Sequence, residues 1–454
     1  MATDLRRSAP RVQFVCSACG EEAPKWQGRC PACGAWNSLD ERIVSLAGRK
    51  ESRVAPSPST PMETVSAATA RPQPTGSVEV DRVLGGGIVP GSVVLLGGDP
   101  GVGKSTLALQ VAHRCGTAVQ PALYCTGEES LEQLALRARR LGCTGAQVRL
   151  LVESDIDSAI ATIEAERPSL AVIDSVQTLR DASTAGPPGS VAQVRAAVLR
   201  MSEVAKATGI PVLLVGHVTK EGAIAGPRTL EHMVDVVLFL EGERLGAHRM
   251  LRGIKNRFGA TGEVGLLSME RDGMHDVPPG ARGLLDAASL GTAGSVLTIT
   301  CDGLRPMAVE VQALAVASPF EFPRRTASGF ELNRLHVMLA VLGKRANVAL
   351  PKVDVFVNVA GGIRLNDPGT DLAVALAVAG SFKDRALSPR CAVLGELGLG
   401  GEVRRVSRME VRLAEAAAVG MDAVVVPESY RGTVPDGLRC HRVASLREAL
   451  ALLG

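Results

Sequence analysis

The sequence predicts an α/β protein organised around a parallel, helix-covered sheet, with a small metal-binding module before it and a second folded domain after it. Three observations carry this. Short apolar runs at Val93 to Leu96, Ala122 to Cys125, Val148 to Leu151, Leu170 to Ile173, Val212 to Val215 and Val236 to Leu240 alternate with amphipathic segments, the pattern of strands joined by crossover helices. Gly98 and Gly103 bracket four residues and are followed by Lys104 and Ser105, the Walker A spacing of a phosphate-binding loop. Two Cys-x-x-Cys pairs, Cys16 with Cys19 and Cys30 with Cys33, lie close together near the N-terminus.

The composition sets bounds. A chain of 454 residues, 46% apolar and 21% charged, accommodates two or three packed domains. A formal net charge of +3 means that any nucleic-acid surface must be local. Met1 to Arg11 is polar and basic without the apolar core of a signal peptide, and no run reaches membrane-spanning length without polar interruption. A cytoplasmic protein with no membrane partner is expected. Cys115, Cys125, Cys143, Cys301, Cys391 and Cys440 are scattered singly and are expected to be reduced.

Residues 1–44 form the first module. Two residues between cysteines let both sulfurs reach one ion, Gly20 and Gly34 permit the turn that follows, and four thiolates make a closed, structural zinc site. A redox pair is the competing reading of one Cys-x-x-Cys, but two pairs in a segment too short for its own core favour zinc. Trp26 and Trp36, the only tryptophans, are expected to act as a makeshift core, with a base-stacking surface as the alternative. Arg6, Arg7, Arg11, Lys25 and Arg29 make this end mildly basic. Residues 45–75, rich in Ser, Thr, Ala and Pro, read as an extended tether.

Residues 76–281 carry the sheet. Its phosphate cradle is Gly98, Asp99, Pro100, Gly101, Val102, Gly103, Lys104, Ser105 and Thr106: backbone amides and Lys104 for the phosphates of ATP, and the Ser105 hydroxyl for Mg2+. Ligands of parallel sheets sit at the carboxyl ends of the strands. There Glu128 and Glu129 follow the second strand and would lie beside the phosphates if that strand neighbours the P-loop strand; one of them could activate water. Asp174 ends the fourth apolar run as a Walker B carboxylate on magnesium would. His217 or Lys220, after the fifth run, could contact the terminal phosphate. Lys255 and Arg257 follow an extended run and should share a face.

From these residues the chain is similar to RecA-type ATPases, and more narrowly it resembles the bacterial RadA (Sms) family. The resemblance rests on the four-cysteine finger, Gly-Gly-Gly-Ile at 85 to 88, Gly-Glu-Glu-Ser at 127 to 130, Ile-Asp-Ser-Val-Gln-Thr at 173 to 178 and Lys-Asn-Arg-Phe-Gly at 255 to 259. It implies a RecA-like P-loop ATPase core, an N-terminal zinc ribbon and a C-terminal α+β Lon-protease-like domain. It also implies a DNA-dependent ATPase acting with RecA recombinase on single-stranded and branched DNA, promoting branch migration as a helicase-like homo-hexameric ring. In that family Lys104 is the Walker A lysine, and Lys255 with Arg257 would reach a neighbouring subunit's phosphates or couple to DNA. Two loops, Leu179 to Ser190 and Val218 to Arg228, would face the ring's channel; neither contains an aromatic, so their grip on DNA would be electrostatic.

Residues 282–454 read as the Lon-like domain, with a strand at Asp354 to Val359 and a helix at Thr370 to Gly380. Under the resemblance the nucleophilic serine of Lon falls at Gly369 and its lysine near Glu410, so the dyad is missing. Thr370 and Ser407 lack an adjacent base. The domain is expected to be a platform for assembly and DNA, with Lys344, Arg345 and Lys352 as part of that surface. A DNA motor is the favoured reading; a nucleotide-gated DNA-binding scaffold and an ATP-dependent protease are the alternatives.

Overall fold

The computed structural model describes residues 11–44, 60–64, 71–216, 230–242, 248–278, 280 and 289–454. The chain packs as two compact units, residues 1–66 and 67–454. In the first, strand Arg11–Cys16 pairs antiparallel with Glu22–Ala23 and Leu39–Val44. Its interior is Cys16, Ala23, Cys30 and Leu39, with Phe14 against them. Trp26 and Trp36 are 57% and 72% exposed, which corrects the expectation that they form the core. Cys16 and Cys30 are buried and, with Ala23 and Leu39, take the interior positions instead.

In the second unit a nine-stranded sheet runs in the order Gly273–Asp276, Val264–Glu270, His248–Asn256, Val236–Glu241, Val93–Gly98, Val212–Val215, Ala171–Asp174, Ala122–Thr126, Val148–Val152. The last six are parallel and coincide with the six predicted apolar runs, Leu170 alone falling one residue before its strand; the first three extend the sheet antiparallel. Both faces are covered. Val94 and Leu96 pack with the helix Lys104–Cys115 on one side, and Val93 and Leu95 pack with the helices Ile156–Glu166 and Val191–Thr208 on the other. Burial on two faces is why the inner parallel strands are continuous apolar runs, whereas the edge strand Val148–Val152 carries Arg149 and is only partly buried. The P-loop strand lies between Val212–Val215 and Val236–Glu241. Ala122–Thr126 is therefore not its neighbour, and the adjacency on which Glu128 and Glu129 were placed does not hold.

A seven-stranded sheet follows, in the order Arg325–Ser328, Val353–Val359, Arg305–Ala317, Ser295–Asp302, Cys391–Val393, Ala423–Pro427, Arg439–Val443. Helices Leu332–Ala346 and Asp371–Lys383 contribute to the core on one face, and Met409–Ala418 to that on the other. Leu372 through Gly380 are buried, so this helix is apolar on every side.

Two ion pairs join the sheets. Glu79, in the helix Val78–Leu84, meets Arg305 at 3.1 Å, with both side chains excluded from water. The other Glu79 oxygen accepts the Leu266 amide at 2.8 Å, and Arg305 also donates to the Val277 carbonyl at 2.9 Å. Arg252 forks onto Asp302 and reaches Glu241 at 3.1 Å. Removing Arg305 leaves the buried Glu79 with Arg82, 3.5 Å away and one-third exposed, as its remaining counter-charge. Arg305→Met should destabilise by at most about 3–5 kcal/mol, the cost of a buried charge left with no partner, read as a lower midpoint in chemical denaturation; an unchanged midpoint would show that the pair does not hold the sheets together.

Candidate nucleotide site and metal module

The P-loop strand ends at Gly98 and the next helix starts at Lys104, so the intervening turn presents backbone amides at a helix N-terminus, where anions are favoured. Gly98, Gly101 and Gly103 have φ of +148°, +81° and +109°, values that side chains rarely adopt. A Cβ on Gly98 would lie 2.4 Å from the Leu240 carbonyl oxygen, whereas one on Gly101 would meet nothing within 4 Å. The cradle is thus tight against the neighbouring strand and open at its crest, as a phosphate site requires. Lys104 is 4% exposed and donates to the Gly98 and Asp99 carbonyls at 2.8 and 3.0 Å. Burial lowers its pKa, opposed by the charges of Asp174, Asp99 and Glu128.

Asp174 is buried, and one of its oxygens accepts the Tyr124 hydroxyl at 2.5 Å. Burial, reinforced by the Asp174 charge, keeps that phenol protonated. The next residue, Ser175, donates to Glu128 Oε1 at 2.6 Å. Glu128 thus reaches the Asp174 corner through Ser175, because strand Ala122–Thr126 is the direct neighbour of Ala171–Asp174. Glu129 instead pairs with Arg137 on the following helix, which occupies its carboxylate elsewhere. Ser105 and Asp174 fit the donors a magnesium ion would take.

Three residues here escaped the sequence reading. Tyr124 stands opposite Val172, two positions along from the Thr126–Asp174 pair, so strand alternation places it on the Asp174 face. Ser175 was visible as part of the motif but had no assigned partner. Arg249, only 4% exposed, donates from Nε to the Val102 carbonyl of the P-loop at 3.0 Å; its strand, His248–Asn256, also carries Arg252 and Lys255, so nothing in the residues singles it out. A cleft of about 550 Å³ opens between the two sheets, lined by Asp99, Glu241, Arg252, Cys301, Asp302 and Asp367 among others.

Lys255 and Arg257 lie elsewhere. Lys255 donates to the Val234 carbonyl at 2.9 Å and to that of Glu231, and Arg257 pairs with Asp235 at 2.9 Å. The second Asp235 oxygen accepts the Val93 amide at 3.0 Å. Both cations thus grip the segment entering strand Val236–Glu241, at the amino end of the P-loop strand. That is about 16 Å, five strand steps, from Gly98. They do not touch the phosphate cradle of their own chain. Burial, then Arg257, lowers the Lys255 pKa. His217, Lys220 and the loop Val218 to Arg228 lie outside the described residues. The other loop, Leu179 to Ser190, is pinned: the Gln193 side chain bonds the Asp181 amide and the Asp181 and Thr184 carbonyls.

In the N-terminal unit the sulfurs of Cys16, Cys19, Cys30 and Cys33 all lie within 4.8 Å of one another. Cys16 to Cys33 is 3.7 Å and Cys19 to Cys30 is 3.6 Å, close to the edge of about 3.8 Å expected for a tetrahedron of thiolates at about 2.3 Å from zinc. The four residues fit the ion. Cys30→Ser should remove bound zinc, measured by metal analysis of the purified full chain; undiminished zinc would rule out this donor set.

The Lon-like corner differs from its expected form. Glu410 points toward Tyr430 and Gly432, and Arg412 stands beside Gly369: an added Cβ there would lie 3.2 Å from Arg412 Nη1 and 2.5 Å from Val406 Cγ1. Arg412, 1% exposed, pairs with Asp367 at 2.5 Å and donates to the Ile299 carbonyl at 2.7 Å. The expected place of a general base holds a permanent cation, which cannot accept a proton. Gly369→Ser is expected to yield no peptidase activity and to lower stability through the Val406 clash, measured with casein and by thermal unfolding.

Comparisons with known proteins agree with this layout. Residues 14–41 match a family described as rubredoxin metal binding domain, 55–223 one described as AAA domain, and 333–430 one described as subunit ChlI of Mg-chelatase. The chain is 44% identical over 452 residues to the DNA repair protein RadA of Bacillus subtilis (strain 168), covering 97% of this chain and 98% of that protein. It is 46% identical over 446 residues to the protein of that name in Mycobacterium tuberculosis (strain CDC 1551 / Oshkosh), covering 97% and 92%. It is 41% identical over 474 residues to the one in Synechocystis sp., covering 97% and 94%. Likeness at this level, along nearly the whole of each chain, means that the protein belongs to the DNA repair protein RadA family.

Proposed function

We propose that the chain hydrolyses ATP to drive movement on DNA in recombinational repair in the cytoplasm, as a homo-hexameric, helicase-like ring that promotes branch migration with RecA recombinase. The observation that carries the enzymatic part is the Glu128–Ser175 contact one residue from Asp174, beside the buried Lys104. The family to which the chain belongs supports DNA as the polymer acted on.

In this reading the amides from Gly98 to Thr106 and Lys104 bind the phosphates of ATP, and Ser105 and Asp174 hold Mg2+, which neutralises charge on the transferring phosphoryl group. Tyr124 orients Asp174. Glu128, positioned by Ser175, aligns and deprotonates the attacking water. Lys255 and Arg257 lie far from their own cradle, which favours a role across a subunit boundary or toward DNA. The Glu231 to Asp235 segment they hold runs directly into the strand beside the P-loop, so a change at either end can be felt at the other. A protease is disfavoured by Gly369 and Arg412.

ATP turnover with and without single-stranded DNA tests this. DNA should stimulate the intact protein; Lys104→Ala should lose turnover in both conditions, and Lys255→Ala should lose the stimulation. Wild-type turnover indifferent to DNA at low salt would sink the motor reading and favour the nucleotide-gated scaffold.

A further inference from the structure

The N-terminal unit exposes both of the chain's tryptophans. An indole offers more apolar area than any other side chain, and leaving one in water forgoes a large burial gain. Here two flank the same glycine: a Cβ built on Gly28 would lie 3.9 Å from Trp26 Cη2 and 3.8 Å from Trp36 Cζ3. The lack of a side chain at Gly28 keeps the space beside the rings clear. The site is also held in shape. Arg29 and Trp36 form an antiparallel bridge, the Asn37 amide donates to the Gly28 carbonyl at 2.9 Å, and Arg29 Nε donates to the Gly34 carbonyl at 2.9 Å. That bond fixes the guanidinium 5.9 Å from the Trp36 ring centroid. Lys25, also exposed, adjoins Trp26.

We propose that Trp26 and Trp36, with Arg29 and Lys25, form a base-stacking site for single-stranded DNA on the metal module. The proposal rests on the reading of this chain as a DNA-acting protein and adds where unpaired bases are held. Exposed aromatic faces beside fixed cations are what sequence-tolerant single-strand binding uses: the rings take the bases and the cations take the phosphates. The loops expected to line a channel contain no aromatic residue, so stacking has to be supplied from elsewhere. Duplex DNA, whose bases are already stacked, should bind this site poorly.

Because the chain has no other tryptophan, intrinsic indole emission of the full-length protein reports on this site alone. Titration with (dT)20 should quench the emission saturably, and a 20-mer of abasic deoxyribose phosphates with the same charge should not. Trp36→Leu should weaken (dT)20 binding, measured by anisotropy of a labelled strand, by about tenfold, the scale of one lost base stack. Trp36→Phe should restore most of the loss. Both positions are exposed, and zinc content equal to wild type confirms that the module is intact in each variant.

Emission unmoved by (dT)20 while anisotropy shows the strand bound would overturn the proposal and leave DNA-stimulated ATP hydrolysis untouched. Equal quenching by the abasic strand would also overturn it, since the contact would then be with phosphates only. Emission that responds to a protein partner and not to (dT)20 would assign the indoles to a protein interface instead.

Discussion

The structure around the P-loop depends on one constraint: a lysine must be kept charged while almost wholly shielded from water. Lys104 is 4% exposed and, among the described residues, donates to the Gly98 and Asp99 carbonyls. Burying an ammonium group without opposite charge is prohibitive, and the nearby Asp174, Asp99 and Glu128 supply that charge. Two of these are held in turn, Asp174 by Tyr124 and Glu128 by Ser175. Asp174 and Glu128 are also the groups by which the proposed mechanism would place a metal and a water molecule, so in that mechanism electrostatic balance in the free protein and catalysis use the same side chains.

The sheet connects this cluster to the rest of the unit. Leu240 lies opposite Gly98, and Glu241, one residue later, pairs with Arg252, which also grips Asp302 of the second sheet. At the other end of the same strand, Asp235 joins Arg257 to the first amide of the P-loop strand. A shift of strand Val236–Glu241 would therefore be registered at the phosphate cradle, at the Lys255 to Gly259 motif and at the second domain.

Much of this was legible in the residues. Five of the six parallel strands are continuous apolar runs because both faces are buried, the edge strand Val148–Val152 with its Arg149 being only partly buried, and the metal module is announced by cysteine spacing. The order of strands was not legible, because hydrophobic pattern records burial and not neighbours; hence Ala122–Thr126 is two strands further from the P-loop strand than adjacency would have it. Apolar character overstates burial for Trp26 and Trp36, because the interior of so small a module is filled by Cys16, Ala23, Cys30 and Leu39. Glu410 and Arg412 differ by two positions on one helix, which turns them to opposite sides of it; motif alignment resolves such shifts poorly, while contact with Gly369 decides them.

The central claim is that Glu128, and not Glu129, activates water beside a nucleotide held by Lys104 and Asp174. Single-turnover hydrolysis by Glu128→Gln, with binding of ATP measured separately, tests it most directly. The account predicts wild-type affinity with hydrolysis slowed by about 10²–10⁴-fold, and little change in Glu129→Gln. Wild-type hydrolysis in Glu128→Gln, or the full loss in Glu129→Gln, would contradict it.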